Sequence, residues 1–396
     1  MDSYLKRTWA EVDIDHIEHN YKAIRSRVSK DSMLCCVIKA DAYGHGAVQL
    51  AKVYEKLGAD WFSVSNLQEA LELRNNNIKL PILILGYTPV VYTSILAENN
   101  ISQACHSLEY AKALSSSAAL HGVTVNIHLK LDTGMSRIGI MCQDFQRDIN
   151  SVETAKEICT LPNLYPQGVF THFAVSDEAE DGKEFTLQQF NAFINTVNAI
   201  EESGIKFDIK HCANSGAIID YPQMHLDMVR AGIILYGLAP SEKLKNKLDL
   251  IPAMQLKSVV SQCKEIFEGT TVSYGRTFTA SERKKLVTIP IGYADGYIRE
   301  IARDGFVTIN GKKAKILGRI CMDQTIADAT DLGDIHTGDE VIIFGNGTDN
   351  ASPTADDIAS WTHTINYEVV CLISKRVPRV YYKNGEATEV VNHLLK

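Results

Sequence analysis

Lys39 closes an apolar run, residues 34–38, and is followed by Ala-Asp-Ala-Tyr43-Gly-His45-Gly46. A lysine at the C-terminal end of a buried strand stands where an α/β barrel builds its site. Burial disfavours the ammonium, which leaves an amine nucleophile able to condense with an aldehyde cofactor. A lone lysine ending a strand is more often a surface residue, so its neighbours decide the reading. The Gly44-His45-Gly46 turn is not a phosphate loop, because no GxxxxGK[ST] pattern occurs. Nine cysteines are dispersed with no CxxC spacing, which favours reduced thiols over a disulfide framework or a metal centre. Taken singly, Arg230 after an apolar run reads as a salt-bridged structural residue, and Tyr274 in Ser-Tyr-Gly-Arg as a turn residue.

The elements that must position Lys39 follow from periodicity. Candidate strands are residues 34–38, 61–64, 82–85, 125–131, 168–173, 209–213 and 233–236. Several are continuously apolar, as parallel strands buried on both faces must be. Helical patterns lie between them. Residues 47–57 carry an apolar stripe and stop at Gly58. Ser65 with Gln68 forms a capping-box signature, and residues 188–202 repeat the helical pattern up to Gly204. The alternation predicts an α/β chain whose N-terminal part is a (β/α)8 TIM-like barrel, although a doubly wound open sheet gives similar local patterns. After Pro240 the runs shorten. Residues 306–309, Asn310-Gly311 and residues 313–316 read as a hairpin, and 338–345 as another short strand between turns. The predicted organisation is a barrel over 1–240 and a mostly β domain over 241–396. The polar stretch 242–248 marks the boundary, and the first few residues are placed against the β domain.

The string around Lys39 resembles the cofactor-attachment motif of fold-type III alanine racemases, enzymes dependent on pyridoxal 5′-phosphate (PLP). Further strings match the same family in order: Lys130-Leu-Asp-Thr-Gly-Met-Ser-Arg137-Ile-Gly139, Thr171-His172-Phe173, His211-Cys-Ala-Asn214-Ser215 and Met228-Val-Arg230-Ala-Gly232-Ile233. Ser273-Tyr274-Gly275-Arg276, Pro290-Ile-Gly-Tyr293-Ala-Asp-Gly296, Gly318-Arg319-Ile-Cys321-Met322-Asp323-Gln324 and Thr364-Ile-Asn-Tyr367-Glu368 continue it through the second domain.

The resemblance implies racemisation of alanine by two bases, Lys39 on the D face and Tyr274 on the L face. A free amino acid holds its α-proton too tightly for either base, and PLP supplies the missing acidity. A tyrosine base needs its phenolate stabilised, and His172 is the partner the resemblance gives it. Arg230 would face the pyridine nitrogen, oriented by His211. Tyr43, Asn214, Ser215, Tyr367 and the amides of Gly232 and Ile233 would hold the cofactor and its phosphate. Arg137 would bind the phenolic oxygen and the substrate carboxylate. Lys130 stands where many members carry a carbamylated lysine, the alternative being an unmodified lysine paired with a carboxylate. The family's site is shared within a homodimer, so Tyr274, Tyr293, Cys321 and Met322 would reach the partner's barrel. There the Met322 amide would touch the carboxylate, with Asp323 and Arg299 at the entrance.

Three departures stand out. Ser136 and Cys212 replace the usual glycine and alanine, and Gly216 replaces another small residue. None removes a reacting group. The nearest rival, a serine or mixed serine/alanine racemase, is disfavoured because Tyr367 is retained. A decarboxylase on the same barrel would need a glycine-rich phosphate loop. A non-catalytic PLP carrier would lack the second domain. The net charge of −8 argues against nucleic acid or an anionic membrane as partner. No membrane span or signal peptide is read, so a cytoplasmic location is expected, and the resemblance implies a role in supplying D-alanine for peptidoglycan.

Overall fold

The computed structural model describes residues 5–144, 146–148, 150–347 and 351–395. Eight parallel strands follow one another around a sheet in the order Met228–Ala231, Met33–Val37, Trp61–Val64, Ile82–Ile84, Ile101–Cys105, Val125–Asp132, Leu164–Phe170 and Ile209–His211. The last and first approach through the Asp227 amide to the Lys210 carbonyl (3.1 Å) and the Arg230 amide to the Ala213 carbonyl (2.9 Å), so the barrel is nearly closed. Trp61–Val64 and Ile82–Ile84 are buried at every position. Packing against the interior on one face and helices on the other explains their unbroken apolar character.

Two strands differ from the sequence expectation. Residues 233–236 form a 3-10 helix, Ile233–Tyr236, and the strand lies just before it at Met228–Ala231, where Arg230 interrupts the apolar run. Ile101–Cys105 escaped notice because buried Ser102 and Gln103 break its pattern. Ser102 Oγ donates to Gln167 Oε1 at 2.7 Å and Gln103 Nε2 to the Gly86 carbonyl at 2.7 Å, which makes their burial tolerable. The cap before the helix Leu67–Asn75 also shifts by one residue. Asn66, not Ser65, accepts from the Glu69 amide.

The helix Ala47–Leu57 ends at Gly58 with φ 87°, as its sequence required. In the second part of the chain a seven-stranded sheet runs Lys312–Lys315, Phe306–Ile309, Glu340–Phe344, Met254–Val259, Thr8–Asp13, Arg379–Lys383, Glu386–Val391. The strand Thr8–Asp13 thus belongs to this sheet, antiparallel to Met254–Val259 and parallel to Arg379–Lys383. Asn310 and Gly311 turn the Phe306–Ile309 hairpin with φ of 50° and 73°, the positive values a type I′ turn needs. Two short helices, Ala355–Trp361 and Asn366–Cys371, return the chain towards the barrel. Buried apolar side chains of both parts form one continuous cluster.

Candidate active site

Lys39 lies two residues beyond the strand Met33–Val37 and opens the short turn Lys39–Tyr43. The turn is left-handed: Ala40, Asp41, Ala42 and Tyr43 have φ of 51°, 54°, 51° and 53°. Non-glycine residues pay roughly 1–2 kcal/mol each for that conformation, so it persists only where neighbours enforce it. Glu69 Oε1 accepts from the Ala40 amide at 2.8 Å, and Asp41 Oδ1 from the Ala47 amide at 2.8 Å. The Gly44 amide donates to the Ala40 carbonyl at 2.9 Å. The result is that Lys39 and Tyr43 line the same cavity.

That cavity encloses about 710 Å³. Around it the fold gathers Lys39, Tyr43, Lys130, Arg137, His172, Asn214, Ser215, Arg230, Gly232, Ile233 and Tyr367. Phe170, Asp177 and Cys371 also line it and were not singled out from the sequence. Phe170 immediately precedes Thr171-His172, which marks it in the sequence, whereas nothing local distinguishes Asp177 or Cys371.

At one end the Gly232 amide donates to Ser215 Oγ at 3.0 Å. A Cβ at Gly232 would stand 3.1 Å from Tyr43 Oη and 3.4 Å from Ser215 Oγ, so the bare Cα leaves a small cradle ringed by two hydroxyls and an amide. Tyr367 approaches Tyr43 with ring centroids 6.0 Å apart. Asn214 caps the turn beneath: its Oδ1 accepts from the Ala217 amide at 3.1 Å and from Ser176 Oγ at 2.7 Å.

Arg230 is buried with 3 % exposure and donates to His211 Nδ1 at 2.7 Å, the Thr171 carbonyl at 2.7 Å, the Cys212 carbonyl at 3.1 Å and His172 Nδ1 at 3.3 Å. It stacks over Phe170, 5.4 Å from the ring centroid. Burial first, then the Arg230 charge, hold His172 and His211 well below the ordinary histidine range, so both imidazoles are neutral. Burial, followed by Arg137, likewise lowers the Lys39 amine. Lys130 is lowered to about 7 by burial and Arg230. Its Nζ donates to the Leu131 carbonyl at 2.7 Å.

Tyr274, Cys321, Met322 and Asp323 stand elsewhere. With Ser273 and Gln324 they line a second, open cavity that shares no residue with the first. The Tyr293 amide donates to the Cys321 carbonyl at 3.1 Å and the Ala294 amide to the Met322 carbonyl at 3.0 Å, which ties these loops together. Arg376 holds Asp323 Oδ1 at 2.8 Å. Arg299 is exposed at the start of the 3-10 helix Arg299–Arg303. Tyr274, Tyr293 and Met322 are 67 %, 44 % and 53 % exposed on these neighbouring loops.

Residues 12–240 match the family model "Alanine racemase, N-terminal domain" and residues 253–381 "Alanine racemase, C-terminal domain". The chain belongs to the alanine racemase family. The alanine racemase of Desulfovibrio desulfuricans is 45% identical over 381 residues, covering 96% of this chain and 100% of that protein. Alanine racemase 1 of Clostridium acetobutylicum is 44% identical over 395 residues and the full length of both chains. The solved alanine racemase of Clostridium difficile 630 superposes with a TM-score of 0.92 at 43% identity, covering 98% of this chain and 99% of that one. The serine alternative finds no support among these alanine racemases.

The family is PLP-dependent. The residues here fit that group. Lys39 offers an amine, the Tyr43–Ser215–Gly232 cradle offers neutral donors suited to a phosphate, and Arg137 and Arg230 add two guanidinium groups to the lining.

Proposed function

We propose that the chain interconverts L- and D-alanine with PLP at sites shared between two copies of itself. The observation that carries this reading is the convergence of Lys39, Arg230 and the Tyr43–Ser215–Gly232 cradle on one cavity at the rim of the barrel. When bound, PLP draws electrons from the α-carbon of the amino acid and so makes its proton removable.

The chain's own groups do the rest. Lys39 would hold the cofactor aldehyde and, once the substrate amine has taken its place there, would exchange the α-proton on the D face; burial and Arg137 favour its unprotonated amine. Tyr274 of the partner subunit exchanges the proton on the L face. His172 Nδ1 accepts from Arg230, which leaves its Nε2 hydrogen as a donor for the tyrosine oxygen. Arg230 cannot accept a proton, so it would leave a cofactor ring nitrogen beside it unprotonated, which would limit side reactions. Tyr43, Asn214, Ser215, Gly232, Ile233 and Tyr367 hold the cofactor and its phosphate. Arg137 and the Met322 amide of the partner subunit anchor the substrate carboxylate, and Tyr293, Cys321, Asp323 and Arg299 shape the entrance.

Exposure of Tyr274, Tyr293 and Met322 supports a homodimer in which those side chains are covered. The division into domains 1–240 and 241–396 is supported by the change from parallel to largely antiparallel pairing after residue 240. Among the described residues no helix is long and apolar enough to cross a membrane, and all nine cysteines are free. The free thiols favour a reducing, cytoplasmic compartment, and supply of D-alanine for peptidoglycan is the role that membership of the family suggests.

The decisive experiment is racemisation of L- and D-alanine by purified protein with and without PLP, with borohydride reduction and peptide mapping of the labelled lysine. Conversion with the label on Lys39 is expected. Absence of conversion, or a label elsewhere, would overturn the reading. Tyr274→Phe should abolish proton exchange from L-alanine while keeping the cofactor absorbance.

A further inference from the structure

Arg379 starts the strand Arg379–Lys383 and is 1 % exposed. Its guanidinium is turned onto main-chain carbonyls. Nε donates to Gly44 at 2.9 Å, Nη1 to Ser374 at 2.7 Å and Val377 at 2.6 Å, and Nη2 to Ile373 at 2.7 Å. These carbonyls end two different cradle elements. Gly44 ends the left-handed turn that carries Lys39 and Tyr43, whereas Ile373 and Ser374 follow the helix Asn366–Cys371 that carries Tyr367.

The two elements meet at this point. A Cβ at Gly44 would stand 2.3 Å from the Val370 carbonyl oxygen, so turn and helix touch through backbone. Two residues along the strand, and therefore on the same face, Tyr381 Oη donates to the His45 carbonyl at 3.0 Å. A Cβ at Gly46 would collide with that hydroxyl at 1.8 Å. The Asp41 carboxylate within the turn adds a favourable charge to Arg379.

We propose that Arg379 is a positioning residue for the cofactor site. By tying the end of the Lys39 turn to the end of the Tyr367 helix, it fixes the separation of Lys39, Tyr43 and Tyr367. Tyr381 supports it from the same strand. The left-handed turn has no intrinsic preference for its conformation; Glu69 holds its first amide, and Arg379 and Tyr381 grip the carbonyls at its end. A planar guanidinium reaches several carbonyls at once; an ammonium is a point charge without the rigid fork. Arginine rather than lysine is thus required.

The proposal rests on Lys39 being the cofactor lysine, and the test separates the two claims. R379K, Y381F and a control, T308V, are titrated as apoproteins with PLP, and each is mapped after borohydride reduction. Thr308 lies in the same sheet, where its hydroxyl donates to the Ala351 carbonyl. R379K should weaken PLP binding about 10- to 100-fold, the scale of a displaced site group. It should also lower kcat with little change in the alanine KM. Y381F should shift the PLP Kd in the same direction by less. T308V should lose stability and keep its PLP Kd. A folded R379K labelled at Lys39 with an unchanged PLP Kd would overturn the Arg379 proposal and leave the Lys39 reading standing; a label elsewhere would overturn both. Should R379K not fold, Y381F decides by the same Kd criterion.

Discussion

Arg230 Nη1 lies 2.7 Å from His211 Nδ1, and that one contact orders the protons on a chain of imidazoles. A guanidinium only donates, so His211 Nδ1 must accept. The His211 proton then sits on Nε2, which donates to His128 Nδ1 at 2.9 Å. Burial holds both rings neutral. Arg230 is therefore braced from behind by neutral groups, and its positive charge stays undiluted at the cavity.

His211→Ala tests that brace. Arg230 would lose its shortest side-chain acceptor while remaining buried, at a cost of about 1–3 kcal/mol in stability for an unmet charged donor. Racemisation should fall by roughly 10- to 100-fold, the range seen when supporting partners of a site residue are removed. Thermal unfolding and kcat/KM for alanine, measured together, check both. Unchanged activity would mean that the carbonyls of Thr171 and Cys212 suffice to hold the arginine.

Lys130 offers a prediction in pH. Its folded-state value is lowered to about 7 from 10.5, by burial and then Arg230. The unfolded chain therefore holds more protons between about pH 7 and 10.5, and stability rises with pH across that window. In carbon dioxide-free buffer the unfolding free energy of the parent should climb from pH 7 to pH 9, whereas that of Lys130→Met should lack this rise. Under bicarbonate, a neutral Lys130 amine can add carbon dioxide and release a proton. The resulting carbamate would be an anion beside Arg137. Intact-protein mass spectrometry should then show one added carbon dioxide, and stability should still rise with pH, because the carbamate, like the neutral amine, lacks the protons that the unfolded ammonium carries. A slope identical in parent and variant would contradict the lowered pKa.

Ser136 carries φ 54° at a position where a glycine is relaxed. Asp132 Oδ1 accepts from its amide at 2.9 Å and Gln143 Nε2 donates to its hydroxyl at 2.9 Å, which offsets the strain. Ser136→Gly should shift stability by less than about 1 kcal/mol, because relief of the left-handed backbone and the gain in unfolded-state entropy oppose each other. Ser136→Val, β-branched at positive φ, should lose more than about 1 kcal/mol. Denaturant midpoints of the two variants decide. Equal losses would mean that the hydroxyl, not the backbone, matters there.

How much of this was legible in the sequence depends on the kind of signal. Lys39 and the barrel were readable because two-sided burial makes Trp61–Val64 and Ile82–Ile84 uniformly apolar. Ile101–Cys105 was not, since its buried Ser102 and Gln103 find tertiary partners that no local pattern announces. The left-handed turn was hidden as well. Residues 40–43 contain no glycine, and the groups that impose the conformation, Glu69 and Arg379, come from distant parts of the chain. The resemblance supplied the names of the site residues. It also implied the division seen here, with the Lys39 set around one cavity of the chain and Tyr274, Cys321 and Met322 around another.

That separation yields the last prediction. If each site takes its lysine from one copy and its tyrosine from the other, two inactive variants must complement each other. Lys39→Ala and Tyr274→Phe are each expected to be nearly inactive alone. Unfolded together in equal amounts and refolded, half of the dimers should be mixed. In a mixed dimer one site pairs the intact Lys39 of the Tyr274→Phe chain with the intact Tyr274 of the Lys39→Ala chain, while the other site lacks both. About one quarter of the parent activity should therefore return, as two-fold symmetry with random pairing requires. Separately refolded variants, mixed only afterwards, should stay inactive for as long as subunits do not exchange. Failure of the co-refolded sample to recover, with size-exclusion chromatography showing that dimers had formed, would place both bases within one chain and remove the shared site.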